Sequence, residues 1–240
     1  MKKPFLTLAQ AREIAAQYPT PFHIYDEAGI RRTARALLRA FDWNPGFREY
    51  YAVKAAPNPI LLQILREEGC GVDCSSYTEL ELARAVGFSG EEIMFSSNVT
   101  PSSEYLLAHE LEATLNLDDA SDVEVVSSLF PLPETMSLRF NPGGLFAIGN
   151  DIMDHPAEAK YGMTKEQLLS SIRVMQQRGV QHFGIHSFLA SNTLTNEYYP
   201  ALAEILFRLA VEVHEQTGAH IAFLNLSGGI GIPYRPEETE

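Results

Sequence analysis

From residue 49 onward, short apolar runs recur about every 20 residues, and the stretches between them carry apolar positions at helical spacing. This rhythm predicts strands near 49–54, 71–75, 93–97, 113–117, 136–140, 182–188 and 221–226, with helices between them. Residues 7–10, 76–79 and 164–167 each read as a capping box, and Gly87 and Gly179 close the second and third of these helices. Asp26 caps a helix with Ile30, Ala34, Leu37 and Leu38 on one face, and Pro57-Asn58-Pro59 starts another over 60–68. Ahead of these, a first helix runs to about Tyr18, Pro19-Thr20-Pro21 ends it, and 22–25 reads as a short strand.

Alternating strands and helices imply βα units on a parallel sheet. Seven strands are one short of a closed (β/α)8 barrel of the TIM type, and 240 residues suit one such barrel. The expected fold is therefore this barrel left incomplete, in an N-terminal portion of a longer polypeptide. No repeat beyond the βα period and no low-complexity tract interrupts it.

Hydrophobic residues make up 45% of the chain, with 13 Phe and 10 Tyr, enough for a core. Eighteen basic residues stand against 31 acidic ones, a formal net charge of −13, and no Lys/Arg block offsets it. Nucleic acid and anionic membrane are not expected partners. Residues 1–6 hold no signal-peptide core, and no window nears the ~18 apolar residues of a membrane span. Cys70 and Cys74 would lie about 13 Å apart along a strand, too far for a mutual disulfide, and two reduced cysteines suit the cytoplasm.

Lys54 ends the first apolar run. In α/β barrels, residues at the carboxyl ends of strands face the active-site mouth. A partly desolvated lysine there loses its proton more readily, and the neutral amine forms a Schiff base with an aldehyde; an ordinary surface lysine is the alternative. Asp73, at the next strand end, either orients Lys54 or a bound ring or serves as a helix-start carboxylate. Glu79 belongs to its capping box. Arg139 ends the fifth strand, as a substrate contact or as an ion-pairing arginine, and the long loop after it, about 20 residues, is of a kind often functional. His182 and His186 would stand about 13 Å apart with no Cys or carboxylate cluster beside them, so no metal is expected. The glycine-rich turn after the last strand, with Gly228, Gly229 and Gly231, exposes backbone N–H groups that can form a phosphate nest.

Tyr51-Ala52-Val53-Lys54-Ala55 followed by Pro57-Asn58-Pro59 resembles the lysine motif of the pyridoxal-phosphate (PLP) barrel decarboxylases, which include diaminopimelate and ornithine decarboxylases. Other segments are similar in the family's order. Residues 20–26 look like its opening segment, and 71–76 with Thr78, Glu79 and Leu80 like its second-strand motif. Arg139-Phe140-Asn141-Pro142-Gly143 is similar to R-x-N-P-G, Lys160-Tyr161-Gly162 to K-F-G, 183–192 to G-x-H-x-H-x-G-S-Q, and 227–231 to G-G-G-x-G.

The resemblance implies an alanine racemase-like PLP-binding barrel over 27–240, with 1–26 packing on a C-terminal β-domain that would follow Glu240. It implies that Lys54 holds PLP as a Schiff base and is catalytic together with His186. Asp73, His186 and Ser191 would stand beside the cofactor, Phe188 would stack on it, and Ser227, Gly228, Gly229 and Gly231 would hold its phosphate. Arg139 would lie near the substrate. It further implies a homodimer that shares parts of its site.

Four positions depart from the family pattern: Phe188 replaces the stacking histidine, Ala190 a glycine, Asn192 the glutamine and Ser227 the first glycine of the phosphate loop. A phenyl ring still stacks but carries no proton. The expected activity is decarboxylation of a basic or diamino acid, foremost meso-diaminopimelate to lysine in amino-acid biosynthesis. Ornithine, lysine, arginine or a D-amino acid are alternative substrates; a non-catalytic PLP-binding barrel, or a scaffold that has lost the cofactor, are alternative readings. As 240 residues alone, the chain is expected to bind PLP weakly and not to decarboxylate.

Overall fold

The computed structural model describes residues 4–143, 161–195 and 197–235. Every expected strand from residue 49 onward forms: β1 (Tyr50–Ala52), β2 (Gly71–Cys74), β3 (Ile93–Phe95), β4 (Thr114–Leu117), β5 (Thr135–Arg139), β6 (His182–His186) and β7 (His220–Asn225). They pair in parallel, in chain order, in one sheet. After α1 (Leu8–Gln17) and α2 (Glu27–Ala40), a helix crosses between each pair of strands: α3 (Pro59–Glu67), α4 (Tyr77–Val86), α5 (Ser102–Glu110), α6 (Asp122–Leu129), α7 (Lys165–Gln177) and α8 (Tyr198–Thr217). The result is an incomplete α/β barrel of seven strands.

The register sorts the strand residues onto two faces. Asp73 sits beside Met94, Asn116 beside Ser137, Ser137 beside Gly184 and Arg139 beside His186. Paired residues of a parallel ladder share a face, and their chain neighbours point the other way. Val72, Ile93, Phe95, Leu115, Leu117, Met136, Leu138, Phe183 and Ile185 therefore form the outer face. They pack with Leu80, Val126, Leu168, Ile172 and Leu206 from the helices in one buried cluster. Each such side chain contributes about 1.5–3 kcal/mol relative to exposure.

The inner face carries a polar group beside Met94 and Phe223. Barrel lumens are commonly filled by branched apolar side chains, whereas here Asp73, Asn116, Ser137, Arg139 and His186 share it. Gly184 is required on this face because a Cβ there would run into the Phe223 ring.

Local expectations fail in two places. Residues 22–25 form no strand, because no strand among the described residues lies beside them to complete a ladder. The capping box at 76–79 forms only half. Ser76 Oγ accepts from Glu79 N at 3.4 Å, but the Glu79 carboxylate accepts from Ser75, which offers two donors, N at 2.7 Å and Oγ at 3.1 Å. The boxes at Thr7 and Thr164 close in both directions. No helix among the described residues is long and apolar enough to cross a membrane.

Candidate active site

β1 ends two residues earlier than its apolar run suggests. Pairing with β2 stops at Ala52, and the chain then makes a 3-10 turn, Val53–Ala55. Val53 is fully buried while Lys54 is exposed at the carboxyl end of the sheet. Asn58 caps the next helix, accepting from Ile60 N at 2.9 Å, and this fixes the exit from the turn. Lys54 Nζ has no hydrogen-bond or ion-pair partner among the described residues and lies 5.4 Å from the centroid of the Phe188 ring.

On β2, Asp73 is half-buried and accepts from Ser96 Oγ at 3.3 Å. Burial pushes its carboxyl up to about 7, opposed by the Ser96 hydrogen bond and the charges of Lys54 and Arg139. A carboxyl poised near neutrality beside an amine can hold or release a proton at working pH.

Arg139 is buried. Its Nη1 donates to Asp118 Oδ1 at 2.9 Å, its Nη2 reaches the Phe188 carbonyl at 3.4 Å, and its Cζ lies 4.9 Å from the Tyr161 ring and 5.8 Å from the Phe188 ring. Burial raises the Asp118 carboxyl above its ordinary value, against the Arg139 charge and the Gly162 N–H. Met163 N donates to Arg139 O at 2.8 Å and Asn141 N to Met163 O at 2.9 Å, which brings the two ends of the long loop together. Lys160 and the rest of 144–160 lie outside the described residues.

His186, 4% exposed, ends β6. Ser137 Oγ donates to Asn116 Oδ1 at 2.8 Å, and Asn116 Nδ2 lies 3.0 Å from His186 Nδ1. His186 Nε2 is buried with no partner among the described residues. Burial, with the charges of Arg139 and Lys54, drives the imidazole down to about 3, so the ring is neutral at physiological pH.

After β7 the chain turns back onto the segment that follows β6. Thr193 N donates to Gly229 O at 2.7 Å and Gly231 N to Thr193 O at 2.8 Å. A Cβ on Gly229 would stand 2.5 Å from Ala190 O, and one on Gly231 2.6 Å from Thr193 O. Both glycines are thus required by chain-to-chain contact. Gly228 differs: a Cβ there would meet nothing within 4 Å. Ser227 occupies the left-handed region (φ 62°), its N–H donating to Asn225 Oδ1 at 2.8 Å, and Gly229 follows at φ 102°. Successive turns of this kind aim backbone N–H groups into one concavity. Ser191 lies against this loop, its Cα 3.4 Å from where a Gly229 Cβ would be.

The structure thus gathers Lys54, Asp73, Arg139, His186 and Phe188 at the carboxyl end of the sheet, and the glycine loop joins them through 190–193. Sequence reasoning missed Ser96, Asn116, Asp118 and Ser137. For Asn116, Asp118 and Ser137 the signal was present as polar residues alternating with apolar ones in Leu115-Asn116-Leu117-Asp118 and Met136-Ser137-Leu138-Arg139. Among the described residues, no group of three or more His, Cys, Asp or Glu is placed to hold a metal ion.

The sequence model of the pyridoxal binding domain of pyridoxal-dependent decarboxylases matches residues 27–240. Protein TabA of Pseudomonas amygdali pv. tabaci is 38% identical over 94% of this chain and 53% of its own length. Diaminopimelate decarboxylase of Methanothermobacter thermautotrophicus is 33% identical over 96% of this chain and 54% of its own length. The chain therefore spans about half the length of these relatives. In fold it is similar to the crystal structure of M. jannaschii diaminopimelate decarboxylase in complex with L-lysine, with a TM-score of 0.87 at 23% identity over 95% of this chain and 55% of that one. The residues present suit PLP: an amine for its aldehyde and a buried imidazole nitrogen, both without a partner among the described residues, a phenyl ring for its ring face and a glycine nest for its phosphate. The chain belongs to the pyridoxal-dependent decarboxylase family and carries its pyridoxal binding domain.

Proposed function

We propose that the protein uses PLP to decarboxylate a basic or diamino acid, foremost meso-diaminopimelate to lysine. The observation that carries this reading is the partner-free Lys54 amine at the carboxyl end of the sheet, beside the Phe188 ring. When bound, PLP supplies the electron sink that makes loss of CO2 feasible. Lys54 would hold the cofactor through its aldehyde, and Asp73 would hold a proton near it. Phe188 would pack on the pyridine ring and contribute apolar contact without charge. His186 and Ser191 stand beside the ring, and Ser227, Gly228, Gly229 and Gly231 form the phosphate loop. Arg139, held by Asp118, gives the substrate mouth positive charge and holds the Phe188 carbonyl.

A second reading keeps the reaction and changes the substrate to ornithine, lysine, arginine or a D-amino acid. It is favoured by the greater identity to TabA than to the Methanothermobacter enzyme, and by Phe188. Homodimer formation, a cytoplasmic location and docking of 1–26 on a C-terminal β-domain belong to the same proposal.

Incubation with PLP, borohydride reduction and peptide mapping test it. A pyridoxyl group on Lys54, absent from Lys54→Ala, is expected; labelling scattered over surface lysines sinks the reading. CO2 release from each candidate amino acid by the full-length polypeptide then selects the substrate.

A further inference from the structure

The buried side chains of β4, β5 and β6 form a chain of hydrogen bonds that runs from Ser137 through Asn116 to His186. A serine hydroxyl beside an amide can donate or accept, but an imidazole nitrogen and an amide must match. Asn116 has one acceptor and one donor group, and Ser137 Oγ donates to its oxygen at 2.8 Å. The structure places the Asn116 NH2 3.0 Å from His186 Nδ1, and an amide NH2 only donates. Nδ1 must accept, so in a neutral ring the proton sits on Nε2. The two ring nitrogens diverge. With Nδ1 committed to Asn116, the Nε2–H faces away from that floor, where it is buried and finds no acceptor among the described residues.

A buried donor left unpaired costs about 1–3 kcal/mol, and such groups are rare in folded proteins unless they serve a ligand. The protein could have avoided this cost by putting an apolar side chain at 186. Arg139, already paired with Asp118, and Lys54 are the charges that bear on the ring, and Lys54, with no carboxylate partner among the described residues, suits the surroundings to an anionic oxygen. Two such oxygens would enter a PLP site: the phenolate of the cofactor and the carboxylate of the substrate.

We propose that Asn116 and Ser137 are positioning residues that lock His186 in its Nε2–H tautomer, and that this N–H is the donor for an anionic oxygen of the bound ligand. The inference rests on the PLP reading above. It adds two residues to the site and a defined proton position to a third.

The test is nitrogen NMR of protein labelled at its seven histidines, with His186 assigned by its loss in His186→Gln. Before any ligand is added, His186 should show Nε2 protonated and Nδ1 unprotonated, unchanged between pH 5 and 9. In Asn116→Asp the carboxylate accepts rather than donates, and the proton should move to Nδ1 or the ring should gain a second proton. Ser137→Ala should leave Asn116 free to turn and give a mixture of tautomers. Adding PLP alone should shift the Nε2–H resonance if the phenolate is the acceptor. A shift that appears only on adding meso-diaminopimelate or lysine to the PLP-loaded protein assigns it to the substrate carboxylate. PLP affinity should fall about tenfold in Asn116→Asp if the phenolate is the partner.

A protonated Nδ1, a ring that titrates in this range, or an Nε2–H unmoved by both ligands overturns the proposal even when borohydride labels Lys54. Failure of that labelling, with the tautomer as described, instead removes the PLP reading.

Discussion

The floor and the rim of the site are built on opposite terms. Across β4, β5 and β6 the floor is paired internally: Ser137 with Asn116, Asn116 with His186, Arg139 with Asp118. The rim, made of the Lys54 turn and the loop after β7, is open. Among the described residues Lys54 Nζ is unpartnered, and nothing lies within 4 Å of where a Gly228 side chain would be. Buried polar groups in a low-dielectric interior must be satisfied by one another and are thereby rigid. Exposed groups at strand ends need no internal partner and are free to take a ligand. The floor thus sets geometry while the rim supplies chemistry. His186 belongs to both, one nitrogen bound to the floor and the other without a partner.

The largest expected effect comes from breaking the floor. Asp118→Leu leaves the Arg139 guanidinium buried without its carboxylate, which typically costs about 3–5 kcal/mol. Thermal unfolding should drop by about 10 °C for a chain of this size. An unchanged Tm would mean that the pair is dispensable and the floor is not the rigid part.

A smaller effect separates two glycines of the rim. Gly231→Ala places a methyl 2.6 Å from Thr193 O and should cost about 1–3 kcal/mol by forcing the two loops apart. Gly228→Ala meets nothing in the protein and should leave stability within about 0.5 kcal/mol, yet weaken binding of PLP and of inorganic phosphate alike. Equal losses of stability in both variants would erase the distinction between a loop-docking glycine and a ligand-facing one.

The smallest effect is in the pH dependence of stability, where Asp73 on β2 and His186 on the floor slope in opposite directions. The folded state holds the Asp73 carboxyl at about 7 against an ordinary 3.8, so its contribution is fully present below 3.8 and lost as pH rises through 7. The His186 imidazole is held at about 3 against 6.5, so its contribution is present above 6.5 and lost as pH falls through 3. Relative to the unsubstituted protein, Asp73→Asn should gain about 1–2 kcal/mol between pH 4 and 8, and His186→Gln should gain a similar amount on going from pH 7 to 4. Parallel curves for either variant would show that the group is better solvated than its position implies.

Much of this was legible before any coordinates. The seven strands follow the apolar runs because a strand packed against helices needs apolar side chains on its outer face. Lys54 and the glycine run are bounded by Pro and Gly, which impose turns through local backbone chemistry. The missed residues were long-range. Nothing near Asn116 in the chain says that its side chain meets His186 seventy residues later, and Glu79 chose Ser75 over the capping position through local competition that the motif does not encode.

The sequence by itself determined the alternation of elements, their order in the sheet and the end of the sheet where the chemistry lies, since short-range periodicity and turn residues govern all three. Only the tertiary structure decided which face of each strand looks inward, which nitrogen of His186 is committed, and which glycines answer to the protein rather than to a ligand. Those depend on register and on contacts between residues far apart in the chain, and a one-residue slip in any strand would reverse them.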